Sequence, residues 1–79
     1  MAFKTFENIV KIEKTLNDII LAKRLTPVTN LELRETLDTD FERIIVLLQA
    51  LETRLHNENP HQRKRNRSEN LANKFRRIR

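Results

Sequence analysis

The sequence predicts an all-α protein: an antiparallel helical hairpin followed by a third, basic C-terminal helix. Glycine is absent from the 79 residues, so tight hairpin turns and phosphate-binding loops lack the residue that they need. Two long segments repeat apolar residues at helical spacing. Cysteine is also absent, which excludes disulfides. A chain this short gains stability by self-association, and we therefore expect two hairpins to pair into a dimeric four-helix bundle.

The first predicted helix runs from about Phe3 to Leu25. It ends before Pro27 because a residue that precedes proline is disfavoured in the α region. Glu13 and Asn17 lie at the margin of its apolar face, either as a partly exposed edge or as a buried polar pair that fixes an oligomer register. At 100° per residue one broad face of this helix is apolar, and it contains Phe6, Ile9, Val10, Ile12, Leu16, Ile19 and Ile20.

The second predicted helix runs from about Asn30 to Asn57. Thr29 and Glu32 have the spacing of a capping box, with Val28 and Leu33 placed as its hydrophobic staple. The short connection favours an antiparallel return.

An apolar stripe on the second helix repeats at alternating spacings of four and three, which is typical of a coiled coil. We expect it to form the oligomer interface together with four residues of the first helix. The predicted interface residues are Leu37, Phe41, Ile44, Leu48, Leu51, Leu55, Phe6, Val10, Leu16 and Ile20.

The chain divides into residues 1–58, the hairpin and oligomerisation module, and residues 59–79, an arginine-rich arm that is helical or partly disordered. Two helix starts compete in the arm: Asn59 as the cap with Pro60 at the first helical position, or Ser68 as the cap of a shorter helix. In both cases one helix face is apolar. This face docks onto the bundle, docks onto a partner, or becomes ordered only on binding; it contains Leu71, Phe75 and Ile78.

The positive charge is concentrated in the arm. Residues 1–60 contain 8 Lys or Arg against 10 Asp or Glu, whereas residues 61–79 contain 8 Lys or Arg against Glu69 alone. This asymmetry predicts an arm for a polyanion. Lys11 and Lys14 either extend the positive track along a duplex or belong to an ordinary solvated face. The predicted anion contacts in the arm are Arg63, Lys64, Arg65, Arg67, Lys74, Arg76, Arg77 and Arg79.

In composition the arm, HQRKRNRSENLANKFRRIR, resembles the arginine-rich motifs of small viral RNA-binding proteins. The resemblance implies nucleic acid as the partner, with structured or double-stranded RNA slightly ahead of DNA. Phe75 is the single aromatic residue of the arm, so reading of single strands by stacked bases is less favoured. A tiny helical dimer with a basic arm resembles the plan of compact viral, phage or plasmid regulators.

Other functions remain open. The chain is alternatively a protein-binding helical adaptor whose basic tail is a localisation signal or contacts an acidic partner. A third possibility is a membrane-surface helix, although three apolar residues form a small anchor. The stretch LRETLDTDFERIIVLLQALETRL also resembles the first long helix of the small all-helical chorismate mutases, which implies Arg34, Arg43 and Arg54 as anion clamps.

The chain lacks the further core helices of that family and shows no nucleophile–base set, so we do not expect an enzyme or a small-molecule substrate. His56 and His61 lie in polar surroundings without a ligand cluster, and we expect no metal and no cofactor. No apolar run reaches the ~20 residues of a membrane span. We expect an intracellular protein, cytoplasmic or, in a eukaryotic host, nuclear.

Overall fold

The computed structural model describes residues 2–58 and 67–78. These residues form three helices, α1 (Ala2–Leu25), α2 (Leu31–Glu58) and α3 (Arg67–Arg76), and within these ranges no strand. The expected all-α class is therefore confirmed. The alternative start at Asn59 and Pro60 lies outside the described residues.

Helix α1 ends at Leu25, as the sequence predicts. The amide of Thr26 donates to the Lys23 carbonyl at 3.2 Å, and its hydroxyl donates to the Ala22 carbonyl at 2.6 Å. These bonds satisfy groups that the helix end leaves free, and Pro27 then prevents another helical turn.

The predicted capping box of α2 is wrong by one residue. The amide of Leu33 donates to the Asn30 Oδ1 at 3.3 Å, so Asn30 is the N-cap and the helix begins at Leu31. The reason is the preceding turn, in which the Asn30 amide donates to the Pro27 carbonyl at 3.0 Å. Val28 remains 64% exposed, so the expected staple does not bury it.

The first two helices form an antiparallel hairpin. At one end the Thr5 hydroxyl donates to the Glu58 carboxylate at 3.3 Å. At the other end the Lys23 Nζ lies 2.9 Å from the Asp38 Oδ1. These two contacts join the start of each helix to the end of the other.

Helix α3 docks onto the hairpin antiparallel to α2. Its first turn contacts Glu52 through Ser68, and its last turn contacts Phe41, farther back along α2, through Phe75. The sequence left open whether the apolar face of the arm docks onto the bundle, docks onto a partner or becomes ordered only on binding. In the structure this face packs against its own hairpin.

The core is built from all three helices of one chain, and it contains part of the interface expected from the sequence. Leu16, Ile20, Phe41 and Leu48 are buried within a single chain, so no second chain is needed to explain their burial. On α2, Ile45 and Glu52 are buried, whereas several residues of the predicted stripe are only half-buried because α3 covers a neighbouring face. The half-buried members of the stripe are Leu37, Ile44, Leu51 and Leu55, and Phe6 and Val10 are exposed.

Candidate nucleic-acid interface

Helix α3 owes its position to a narrow apolar face. Leu71 and Phe75 are 4% and 5% exposed, and Ser68 is buried beside them. A ten-residue helix is too short to be stable alone in water, so these contacts hold it in place. They also determine which side chains of the arm face solvent.

Phe75 anchors the C-terminal half of α3. Its ring stacks on Phe41 with a centroid distance of 3.9 Å and an angle of 3° between planes. The Lys23 Nζ lies 4.0 Å from the centroid of the Phe75 ring, a cation–π contact, and pairs with Asp38. Lys23 is therefore an internal structural cation, although it lies in the last turn of α1 and lysine is rarely buried unless it is paired.

Glu52 anchors the N-terminal half of α3. Its carboxylate accepts the Ser68 amide at 2.7 Å and the Ser68 hydroxyl at 3.1 Å. Ser68 is not the cap of a helix that starts at Glu69, because α3 begins one residue before Ser68, at Arg67. Instead, a carboxylate from α2 satisfies a free amide in the first turn, where the helix dipole favours negative charge.

Arg67, predicted to contact the polyanion, is engaged within the protein. Its Nη1 lies 3.3 Å from the Glu13 Oε2, and its guanidinium carbon lies 5.4 Å from the Phe6 ring centroid. Its side chain is 22% exposed. Glu13 is thus a partly exposed edge residue of α1 with a partner in α3, and Arg67 helps to position the arm.

The solvent-facing side of α3 carries three predicted contact residues. Lys74, Arg76 and Arg77 are all exposed. At 100° per residue, an arc opposite the buried face also contains Glu69, Asn70 and Asn73, all exposed. This outward face of α3, defined by Asn70, Asn73, Lys74, Arg76 and Arg77, combines charges that bind phosphate with amides that bind bases or riboses. Glu69 adds a carboxylate beside Arg76 in the same arc.

Lys11 and Lys14 are exposed but do not continue this surface. At 100° per residue they lie about 160° and 100° around α1 from Glu13, which faces α3. Arg24 lies only about 20° from Glu13 and is exposed. Sequence analysis missed Arg24, although its spacing of eleven residues from Glu13, about three helical turns, was available.

The edge of α2 that borders the C-terminal half of α3 carries charges of both signs. Asp38 pairs with Lys23 beside Phe75, and the shallow groove that contains Asp38 is also lined by Glu42 and Arg43.

Four predicted contact residues, Arg63, Lys64, Arg65 and Arg79, lie outside the described residues. Within the part of the chain that the structure describes, no three His, Asp or Glu side chains are grouped so as to hold a metal ion. None of the described helices has the length and apolar character needed to cross a membrane. Comparison of the chain with protein-family models, with curated proteins and with solved structures found no match.

Proposed function

We propose that the protein binds nucleic acid through the outward face of α3, with structured or double-stranded RNA slightly favoured over DNA. The observation that carries this proposal is the docking of α3 by Leu71 and Phe75, which leaves Lys74, Arg76 and Arg77 exposed on one fixed surface. A rigid set of cations loses less conformational entropy on binding than a flexible tail.

The charge of the arm supports the proposal. Arg63, Lys64, Arg65 and Arg79 add four cations in sequence to the three on the outward face of α3. Arginine offers planar, bidentate contacts to phosphate, and Arg24 extends the exposed positive surface onto α1. We further propose that two chains pair, so that each particle carries two such arms.

The salt dependence of binding tests the proposal. Each arm neutralises several phosphates, so a plot of log K against log salt should have a slope of roughly −4 to −7 for duplex RNA. The double variant Arg76→Gln with Arg77→Gln should reduce the magnitude of this slope by about 1.5, because each lost phosphate contact contributes about 0.7 to 0.9.

A control variant separates local contacts from net charge. Lys4→Gln with Lys14→Gln removes the same charge from exposed positions of α1 that lie away from α3, and it should leave the slope close to the native value. Equal effects of the two double variants, or a flat salt response of the native chain, would contradict the proposed site. Duplex DNA and single strands measured in parallel establish the preferred nucleic acid.

A second candidate function, the protein-binding adaptor, is favoured by the apolar tip of the hairpin. Leu25, Val28 and Leu31 are 75%, 64% and 70% exposed around the turn, and such clusters often mark protein contacts. Duplex RNA distinguishes the two functions: it should displace a nucleic acid from the arm but should not displace a protein bound to the tip.

A further inference from the structure

We infer that a second copy of this chain binds the face of the hairpin that lies opposite α3. The inference rests on the proposed pairing of two chains and not on nucleic-acid binding. A two-helix hairpin has two long grooves, and α3 occupies one of them through its contacts with Glu13, Phe41 and Glu52. The other groove borders what we call the open face.

The open face is apolar along its centre. Leu33 and Leu47 are 43% and 55% exposed, and they lie about 100° and 140° around α2 from Glu52, which contacts α3. The remaining apolar residues at this face pack against the core but are only half-buried; they are Ile12, Ile19, Ile44 and Leu51.

The dimensions of the chain allow an interface of standard size. Its two largest extents are 47 and 19 Å, which sets an upper limit of roughly 900 Å² on one flat face, and a standard interface buries ~800 Å² per partner. A homodimer interface of this size is expected to be isologous, with each residue pair occurring twice.

The positions of the charges define one register for this dimer. A two-fold axis that crosses α2 at Leu47 places Asp40, seven residues before it, opposite Arg54 of the partner subunit, seven residues after it. Within its own chain the Arg54 Nε lies 3.3 Å from the Glu58 Oε1, but the Arg54 side chain is 67% exposed and can also meet a second carboxylate. The same axis places Ile44 within one residue of the partner's Leu51. Leu47 itself then meets its own copy at the centre of the interface.

The first helix is self-complementary about the same axis. The Thr5–Glu58 and Lys23–Asp38 contacts place Leu47 level with about Thr15. Lys11, four residues before Thr15, then lies within one residue of Asp18 of the partner subunit, three residues after it. The Thr15 hydroxyl is bonded to the Lys11 carbonyl at 3.1 Å, which leaves its methyl group for packing.

Two unrelated sets of residues therefore favour a single axis. It pairs opposite charges on both helices and brings apolar residues together between them. In this dimer Lys11 is an interface residue and not a nucleic-acid contact. The two α3 helices lie on the outer faces and point away from each other, so the dimer presents its arms to two separate segments of nucleic acid.

Solution mass measured without nucleic acid tests the inference. The native chain should sediment at twice its 9.5 kDa at micromolar concentrations. Leu47→Glu should raise the dimer dissociation constant roughly 100-fold or more, because two carboxylates meet at the centre of the interface. Val46→Glu is the control, since Val46 is equally exposed at 58% but lies about 100° around the helix, and it should leave the mass unchanged.

A charge exchange tests the register. Asp40→Arg and Arg54→Asp should each weaken the dimer, because each places like charges opposite one another in both symmetric pairs. An equimolar mixture of the two variants should form heterodimers in which both pairs are again attractive. Within one chain these positions lie about 21 Å apart along α2, so restored pairing cannot arise from a contact inside the monomer.

The outcomes separate the two levels of the proposal. A native chain that is monomeric at high micromolar concentration overturns the pairing itself. If the dimer survives Leu47→Glu, or is lost with Val46→Glu, the claim that two chains pair stands, but the claim that they pair through the open face is overturned. Failure of the charge-exchanged mixture to form heterodimers overturns the register.

Discussion

Replacement of Phe75 by alanine tests how the arm is held. Phe75 is 5% exposed, stacks on Phe41 and lies under the Lys23 ammonium. Truncation of a buried phenylalanine to alanine typically costs about 3–5 kcal/mol. Since α3 is too short to be stable alone, we expect Phe75→Ala to release α3 from the hairpin and to unfold it.

The expected signal follows from the helix lengths. Helix α3 contributes 10 residues, beside 24 in α1 and 28 in α2, so its loss should lower the mean helical ellipticity by about one sixth. Hydrogen exchange should show that the amides of α3 lose protection while those of α1 keep theirs. Leu21→Ala serves as the control, because Leu21 is 55% exposed and its truncation should leave the ellipticity almost unchanged.

Two results would refute this reasoning. If Phe75→Ala retains the full ellipticity and the protection of α3, the aromatic stack does not hold the arm. If the variant loses most of its ellipticity, α3 is not a separable element and the hairpin depends on it completely.

Three further predictions follow from the core and from the polar contacts of the arm. Leu48→Asp should lower the free energy of unfolding by about 4 kcal/mol or more and abolish cooperative thermal unfolding, because Leu48 is 0% exposed and a buried unpaired charge is costly. A stable, helical variant would contradict the placement of the core. Glu52→Ala should destabilise the docked α3 by about 1–3 kcal/mol, since it removes two hydrogen bonds to Ser68, and hydrogen exchange limited to α3 measures this. Glu13→Gln should strengthen binding of duplex RNA a few-fold, because it removes a negative charge and weakens the ion pair that engages Arg67. Fluorescence anisotropy titration measures this, and unchanged or weaker binding would contradict the electrostatic model.

The sequence was sufficient to predict the two long helices and their direction. The proline after Thr26 and the apolar periodicity of the hairpin are local signals, and the structure places the end of α1 at Leu25. The N-cap of α2 was misplaced because both Thr29 and Asn30 are good caps, and the choice depends on the turn that begins at Pro27.

The buried side of α2 could not be predicted from its own pattern. The predicted stripe contains Phe41, which is buried, and also Leu51 and Leu55, which are only half-buried. Only the docking of α3 decides which members of the stripe are covered and that Ile45, beside the stripe, is buried. The role of Glu52 was hidden for the same reason, since a charged residue is expected to be exposed unless a distant partner meets it.

The candidate site was predicted in outline only. The concentration of positive charge after Pro60 is visible in composition, but composition does not distinguish Arg67, which pairs with Glu13, from Arg77, which is exposed. Arg24 was overlooked because its place on the face of α1 that bears Glu13 gains meaning only when Glu13 is seen to contact α3.

The most direct test of the account is a nuclear magnetic resonance titration of the native protein with duplex RNA. The account predicts amide and side-chain shifts at Asn73, Lys74, Arg77 and Arg24, and none at Lys4 or Lys11 on the far side of α1. Shifts confined to the far side of α1, or no shifts at saturating RNA, would contradict the claim that a docked, outward-facing α3 binds nucleic acid.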